Sequence, residues 1–110
     1  QAGTTAYTGT IIGHRAGAFA FFNLVHPGNN QRVRLVLEVA REDRLTAEAV
    51  GFNVYDGSTL IAHVPAQQDA SGHFVATVVL DPSSAKTYGV QVVNYSDRVP
   101  ATYRLFALGL

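Results

Sequence analysis

In the stretch VRLVLEV, residues 33–39, every second side chain is apolar. Residues 33, 35, 37 and 39 are valine or leucine, and the charged residues Arg34 and Glu38 fall between them. Successive side chains of a β-strand point to opposite faces, so residues 33, 35, 37 and 39 would share one face and Arg34, Val36 and Glu38 the other. The stretch therefore predicts a strand with one buried face.

The same alternation recurs through most of the chain. It predicts further strands over residues 8–12, 18–26, 50–54, 60–64, 74–80, 88–95 and 101–108. Asp56-Gly57 favours a tight hairpin turn, and residues 96–100 are predicted to join the last two strands as a hairpin. Residues 40–49, rich in Glu, Arg, Leu and Ala, predict a short helical turn between two sheets. Seven or eight short strands indicate an all-β fold, an antiparallel, jelly-roll-like β-sandwich.

The composition limits the domain organisation and the partners. The 110 residues suffice for one domain over residues 1–110, with residues 1–7 interpreted as an extended N-terminal arm or donor strand. Eight basic and eight acidic residues cancel, which favours neither nucleic acid nor an anionic membrane as partner. No apolar run approaches the ~18 residues of a membrane-spanning helix. Gln1-Ala2-Gly3 suits the start left by signal-peptide removal, so we predict an extracellular or cell-surface location.

Three stretches resemble a known family: GAFAFFNLVHPG at 17–28, AVGFNVYD at 49–56 and YGVQVVNY at 88–95. They are similar to bacterial pre-peptidase C-terminal domains, most of all to versions from Chloroflexi-type bacteria. The resemblance implies a small secreted jelly-roll-like sandwich, found beside exported hydrolases or in tandem on surface proteins. The chain departs from the pattern at Phe21-Phe22, where a tyrosine is expected, and the strand is more apolar as a result.

The sequence contains no recognisable catalytic motif, and we predict that the chain is not an enzyme. No serine lies in a Gly-x-Ser-x-Gly elbow, and the four histidines lack the i,i+4 spacing of a helical zinc pair. Calcium is the one cofactor left open, because Asp56 and Asp97 lie at predicted turns and could supply oxygen ligands. An aspartate at a turn can equally bond to its own backbone.

Sugar binding is a second open possibility, with polysaccharide as the partner. Tyr55 and Tyr95 fall on the outward side of their predicted strands, where a ring face can stack on a sugar. The chain has no Trp, so the platform would be thin, and a strand-end tyrosine can also serve packing. Asn94-Tyr95-Ser96 matches the N-glycosylation pattern, which we interpret as a coincidence of a strand end.

Two predicted strands are apolar on both faces, and this pattern suggests self-association. The residues expected to contact another copy are Phe106, Leu108, Leu110, Phe21 and Phe22. Valines at 36, 75, 79 and 93 add outward apolar side chains. We therefore predict a non-enzymatic structural module that forms a homo-oligomer or polymer, such as a cell-surface filament or sheath. The alternative is an accessory carbohydrate- or protein-binding domain of a larger secreted hydrolase or surface protein.

Overall fold

The regular structure consists almost entirely of strands in the computed structural model, which describes residues 6–26, 32–80 and 86–109. The strands are β1 (Ala6–Ile12), β2 (Ala18–His26), β3 (Val33–Val39), β4 (Val50–Asp56), β5 (Thr59–Pro65), β6 (Gln67–Gln68), β7 (Phe74–Leu80), β8 (Lys86–Asn94) and β9 (Pro100–Gly109). The described residues thus form nine strands, against the seven or eight predicted. The addition is the two-residue β6.

The strands form two antiparallel sheets. One has the order β1-β9-β3-β7-β6 and the other β2-β8-β4-β5, so the predicted antiparallel β-sandwich is confirmed. The Asp56-Gly57 hairpin between β4 and β5 is also confirmed, and Gly57 has the positive φ of 64° that such a turn favours. The predicted helical turn is a 3-10 turn, Ala47–Ala49, between β3 in one sheet and β4 in the other.

The predicted hairpin between the last two strands is wrong. β8 pairs with β2 and β4, whereas β9 pairs with β1 and β3 in the other sheet. The connection at residues 95–99 carries the chain from sheet to sheet, and there Arg98 adopts a φ of 64°, the one positive value among the described non-glycine residues. Tyr88 and Leu105 therefore share the core from opposite layers.

The interior is filled by the inward rows that the alternation predicts. Leu37, Phe52 and Val54 have no exposed surface, and each side chain of this size contributes about 1.5–3 kcal/mol when buried. Leu60 lies two residues before the inward-facing Ala62 and would face the core in a regular strand. Instead 52% of it is exposed, because the pairing of β4 with β5 shifts register between Val54 and Tyr55. This bulge moves Leu60 out of line with the core.

A buried asparagine fastens the β8–β9 connection to β1. The Asn94 Nδ2 group donates to the carbonyls of Ile11 and Val99, both at 2.9 Å. Its Oδ1 accepts from the backbone N–H of Ser96 at 3.0 Å and from the Ser96 hydroxyl at 2.5 Å. Asn94 has no exposed surface, so in the folded domain the glycosylation pattern at 94–96 serves structure and presents no acceptor.

Candidate binding surfaces

The described side chains on the outer face of the four-stranded sheet include no acidic residue, lysine or arginine. Its outward residues follow from the pairing of β2, β8, β4 and β5 and from the inward packing of the alternate residues. They are Phe19, Phe21, Asn23, Val25, Thr87, Gly89, Gln91, Val93, Gly51, Asn53, Tyr55, Leu60, His63 and Pro65. None is Asp, Glu, Lys or Arg. We call this surface, over its described side chains, the uncharged face.

A line of hydrogen-bonded polar side chains crosses the uncharged face. The Gln91 Oε1 atom accepts from Asn53 Nδ2 at 2.9 Å and from the Tyr55 hydroxyl at 3.3 Å. Asn53 Oδ1 lies 2.6 Å from His63 Nδ1. Because an amide oxygen can only accept, the His63 Nδ1 atom carries the proton and donates. We call these four residues the amide row.

Aromatic rings lie beside the amide row. Phe21 is directly opposite Gln91 in the register and is 70% exposed. Phe19 and Tyr95 meet edge to face, with ring centroids 5.9 Å apart. Tyr55 and Tyr95, predicted as a ligand platform, therefore lie at the same outer face as Phe21. Asn53, Gln91 and His63 were not predicted as site residues. The outward positions of Asn53 and Gln91 on their predicted strands could have indicated them.

One side of the sandwich is formed by the edge strands β1 and β2. The described side chains of this side, residues 6–12 and 18–25, include no charged residue and no proline. Between the two edges Tyr7 packs on Phe22 at a centroid distance of 4.7 Å. Phe22 was predicted to contact another copy, but it faces the interior, packs against the core and meets Tyr103 as well.

The predicted N-terminal arm lies only partly within the described residues. Ala6 and Tyr7 belong to β1 and pair with Phe106 and Leu105 of the same chain, so they are not free to reach another one. Residues 1–5 lie outside the described residues, and the donor strand remains a prediction for them alone.

The outer face of the five-stranded sheet carries charge as well as apolar side chains. Phe106 and Leu108 point outward as predicted, but the Arg104 guanidinium lies 4.4 Å from the Phe106 ring centroid and also binds Glu38 at 3.2 Å. Phe106 is therefore partly covered by its own chain. Leu110 lies outside the described residues.

Two of the four valines predicted to point outward are buried beside residues of adjacent strands. Val36 is flanked by Phe106 and Thr77, and Val93 by Phe19 and Gly51; both valines are buried. Neighbouring residues of the same sheet flank both valines, so the apolar surface left for a partner is smaller than predicted.

Asp69, Ser71 and His73 meet at the turn between β6 and β7, but not as a catalytic triad. The Ser71 hydroxyl donates to Asp69 Oδ1 at 2.7 Å and lies 2.8 Å from His73 Nδ1. Serine stands in the middle, whereas a triad places histidine between serine and carboxylate. Because the hydroxyl proton is committed to Asp69, His73 does not remove it. The same hydrogen bond holds the pKa of Asp69 below its ordinary value.

The two calcium candidates do not form one site. Asp97 follows β8 near the Val50 end of β4, where Arg15 binds it at 3.1 Å, and Asp56 is the last residue of β4. Six residues of extended chain separate the two ends by about 20 Å. Within the described ranges no group of three or more His, Cys, Asp or Glu side chains is placed to hold a metal ion.

Known proteins match this chain in structure but not in sequence. No family model and no curated protein sequence matches the chain. Its structure is similar to the crystal structure of the pre-peptidase C-terminal domain of collagenase from Bacillus anthracis, with a TM-score of 0.54 and 18% identity. The match covers 96% of this chain and 89% of that one. The chain has the fold of a pre-peptidase C-terminal domain.

The fold implied by the three resembling stretches is thereby confirmed. At this identity the likeness to the pre-peptidase C-terminal domain is one of fold, so the surfaces of this chain have to carry any functional argument. Among the described residues, no helix is long and apolar enough to cross a membrane.

Proposed function

We propose that this pre-peptidase C-terminal-like domain is a non-enzymatic, extracellular structural module that binds further copies of itself through the side formed by β1 and β2. The observation that carries the proposal is the character of β2. It is a nine-residue edge strand on which Phe21 and Val25 are 70% and 72% exposed. Its described side chains bring no charge to the edge.

An edge strand of this kind is open to pairing with another chain. It presents a row of unpaired backbone N–H and C=O groups, and monomeric proteins protect such rows with charges, prolines, bulges or very short strands. The other side of this sandwich has such protection. β5 contains a bulge and ends at Pro65, and β6 has only two residues. β1 and β2 have none of these devices within their described residues.

A second copy fits this edge by symmetry. Antiparallel pairing of β2 with β2 of the partner about a two-fold axis would use the same surface on both subunits. The two four-stranded sheets would become one continuous eight-stranded sheet, and the two uncharged faces would become one. Because this contact closes on itself, a filament or sheath needs a second contact. The β1 edge and the exposed Leu108 on the outer face of the five-stranded sheet are available for it.

Sedimentation velocity of the chain at several concentrations tests the proposal. We expect a wild-type oligomer and a monomeric Val25→Lys variant, because a lysine at the edge opposes pairing of like strands. Leu60→Lys is the matched control, since Leu60 lies on the same face but on the opposite edge strand. Far-UV circular dichroism should show the same strand content in all three. A wild-type monomer at every concentration contradicts the proposal.

A second candidate function is favoured by the uncharged face. The chain would then act as an accessory carbohydrate- or protein-binding domain of a larger secreted hydrolase or surface protein. The amide row beside Phe21 supports this candidate, because hydrogen-bonding groups next to an exposed ring are typical of ligand sites.

A further inference from the structure

We propose that the uncharged face binds a neutral polysaccharide, with sugar hydroxyls on the amide row and a sugar ring on Phe21. The inference specifies the ligand of the second candidate function and does not depend on self-association. The hydrogen bonds within the amide row leave the Gln91 Nε2 group and the His63 Nε2 atom available for a ligand.

Gln91 is held in one orientation. Two donors from β4, Asn53 Nδ2 and the Tyr55 hydroxyl, bind its Oε1 atom. The Nε2 group keeps both of its N–H donors without a partner among the described residues, since only Oε1 takes part in hydrogen bonds. An amide fixed before the ligand arrives loses less conformational entropy on binding.

His63 is held in the same way from the other end of the row. Asn53, only 9% exposed, accepts the Nδ1–H of His63 through Oδ1 and thereby sets the tautomer. In the neutral imidazole the Nε2 atom is then an acceptor. The amide row thus offers fixed donors on Gln91 and a fixed acceptor on His63. Sugar hydroxyls can accept from the Gln91 donors and donate to the His63 acceptor, because each hydroxyl both donates and accepts.

The neighbouring rings supply the apolar part of the site. Phe21 lies one strand from Gln91, a spacing of about 4.8 Å, so a ring stacked on Phe21 would bring its hydroxyls near the free amide donors. Tyr55 lies on β4, and its hydroxyl reaches diagonally to Gln91 on the neighbouring strand β8. Gly89, directly opposite Tyr55, has no side chain to obstruct that path.

The charge of the face determines the ligand class. A polyanion would need cations, and the described side chains of the uncharged face include neither Lys nor Arg. The opposite outer face carries the charged pair Arg104 and Glu38, and its Phe106 ring is covered by the Arg104 guanidinium. A neutral chain of hydroxyl-bearing rings matches the uncharged face in both its polar and its apolar parts.

Native electrophoresis through gels containing hydroxyethylcellulose, soluble starch or galactomannan tests the inference. We expect at least one neutral polysaccharide to retard the domain, while gels containing heparin or no polysaccharide do not. Gln91→Glu keeps oxygen acceptors for Asn53 and Tyr55 but removes the N–H donors, so binding should weaken about tenfold. Phe21→Ala should weaken it by a similar factor through lost stacking.

Matched variants separate the possible outcomes. Val79→Ser, on the outer face of the five-stranded sheet, should bind as the wild type does. Retardation in the Val25→Lys variant would show that sugar binding survives when self-association is lost. The inference is overturned if no neutral polysaccharide retards the domain. It is equally overturned if Gln91→Glu and Phe21→Ala bind with wild-type affinity.

Discussion

The side-chain oxygen of Asn94 accepts two hydrogen bonds from Ser96, one from its backbone N–H and one from its hydroxyl. Since Asn94 Nδ2 also binds the carbonyls of Ile11 and Val99, four hydrogen bonds meet at one buried side chain. They join β1, the end of β8 and the connection to β9. One buried side chain therefore links three parts of the chain where it changes sheet, beside backbone hydrogen bonds such as that from the Arg98 N–H to the Gly13 carbonyl.

Asn94→Ala should destabilise the domain by about 3 kcal/mol, because it leaves buried polar groups unpaired and opens a small cavity. Ser96→Ala removes only the hydroxyl and should cost about 1 kcal/mol. Urea unfolding followed by tyrosine fluorescence measures both values. Equal losses would mean that the Asn94 contacts to Ile11 and Val99 contribute little.

Gly13→Ala should destabilise the domain by about 2–3 kcal/mol through steric overlap. A Cβ atom at Gly13 would collide with the Ser96 carbonyl and hydroxyl oxygens and would lie 2.8 Å from Asn94 Oδ1. Gly89→Ala is the control, since its Cβ would meet Tyr55 at an ordinary 3.7 Å. Thermal unfolding should show a lower Tm for the first variant only. A wild-type Tm for Gly13→Ala would show that the connection can move aside.

Arg104→Ala should cost about 0.5–1 kcal/mol, because it removes the guanidinium from the face of Phe106. In a Phe106→Leu background the same change should cost less, since no ring remains to be covered. A double-mutant cycle in urea gives the difference. If the cost is the same in both backgrounds, the contribution of Arg104 comes from the ion pair with Glu38 instead.

Ser71→Ala should raise the pKa of Asp69 toward its ordinary value, because the Ser71 hydroxyl is the main cause of the lowered pKa. A carboxyl with a lowered folded-state pKa stabilises the fold above its unfolded pKa of about 4 and loses that contribution as the pH falls. The variant should therefore lose less stability on acidification. NMR titration of the Asp69 carboxyl carbon gives the pKa directly.

Glu42 is an internal reference for that titration. Its pKa is lowered chiefly by the side-chain hydrogen bond from Arg44, which Ser71 does not touch. The Glu42 pKa should be the same in both proteins. A shift of both carboxyl groups would indicate a general rearrangement, and an unshifted Asp69 would contradict the assigned cause.

The sandwich was predictable because alternation in single strands reports burial directly. The residues 33, 35, 37 and 39 show the simplest case, and the connection at 40–49 stood out by breaking the alternation. Strand partners were less predictable. The sequence at 96–100 favours a turn whether the flanking strands pair or separate, and Asn94 holds the connection through contacts to residues distant in sequence.

The candidate surfaces were harder to predict than the fold. Where both faces of a strand are apolar, parity alone does not say which one is buried, and Phe22 was assigned to the wrong role for that reason. Cover from neighbouring strands is also invisible in the sequence, as Val36 and Phe106 show. The amide row depends on three strands lying side by side, so it required the strand order.

The strand order also determines when the domain can form. β1 pairs with β9 and β2 with β8, so the first two strands find their neighbours only in the last quarter of the chain. A ribosome releases the N-terminus first, and neither pairing is available until residues 86–109 have been made. Contacts so distant in sequence are expected to give folding times of milliseconds to seconds. Neither sheet can be completed before these residues emerge, and this delay would suit the export proposed above.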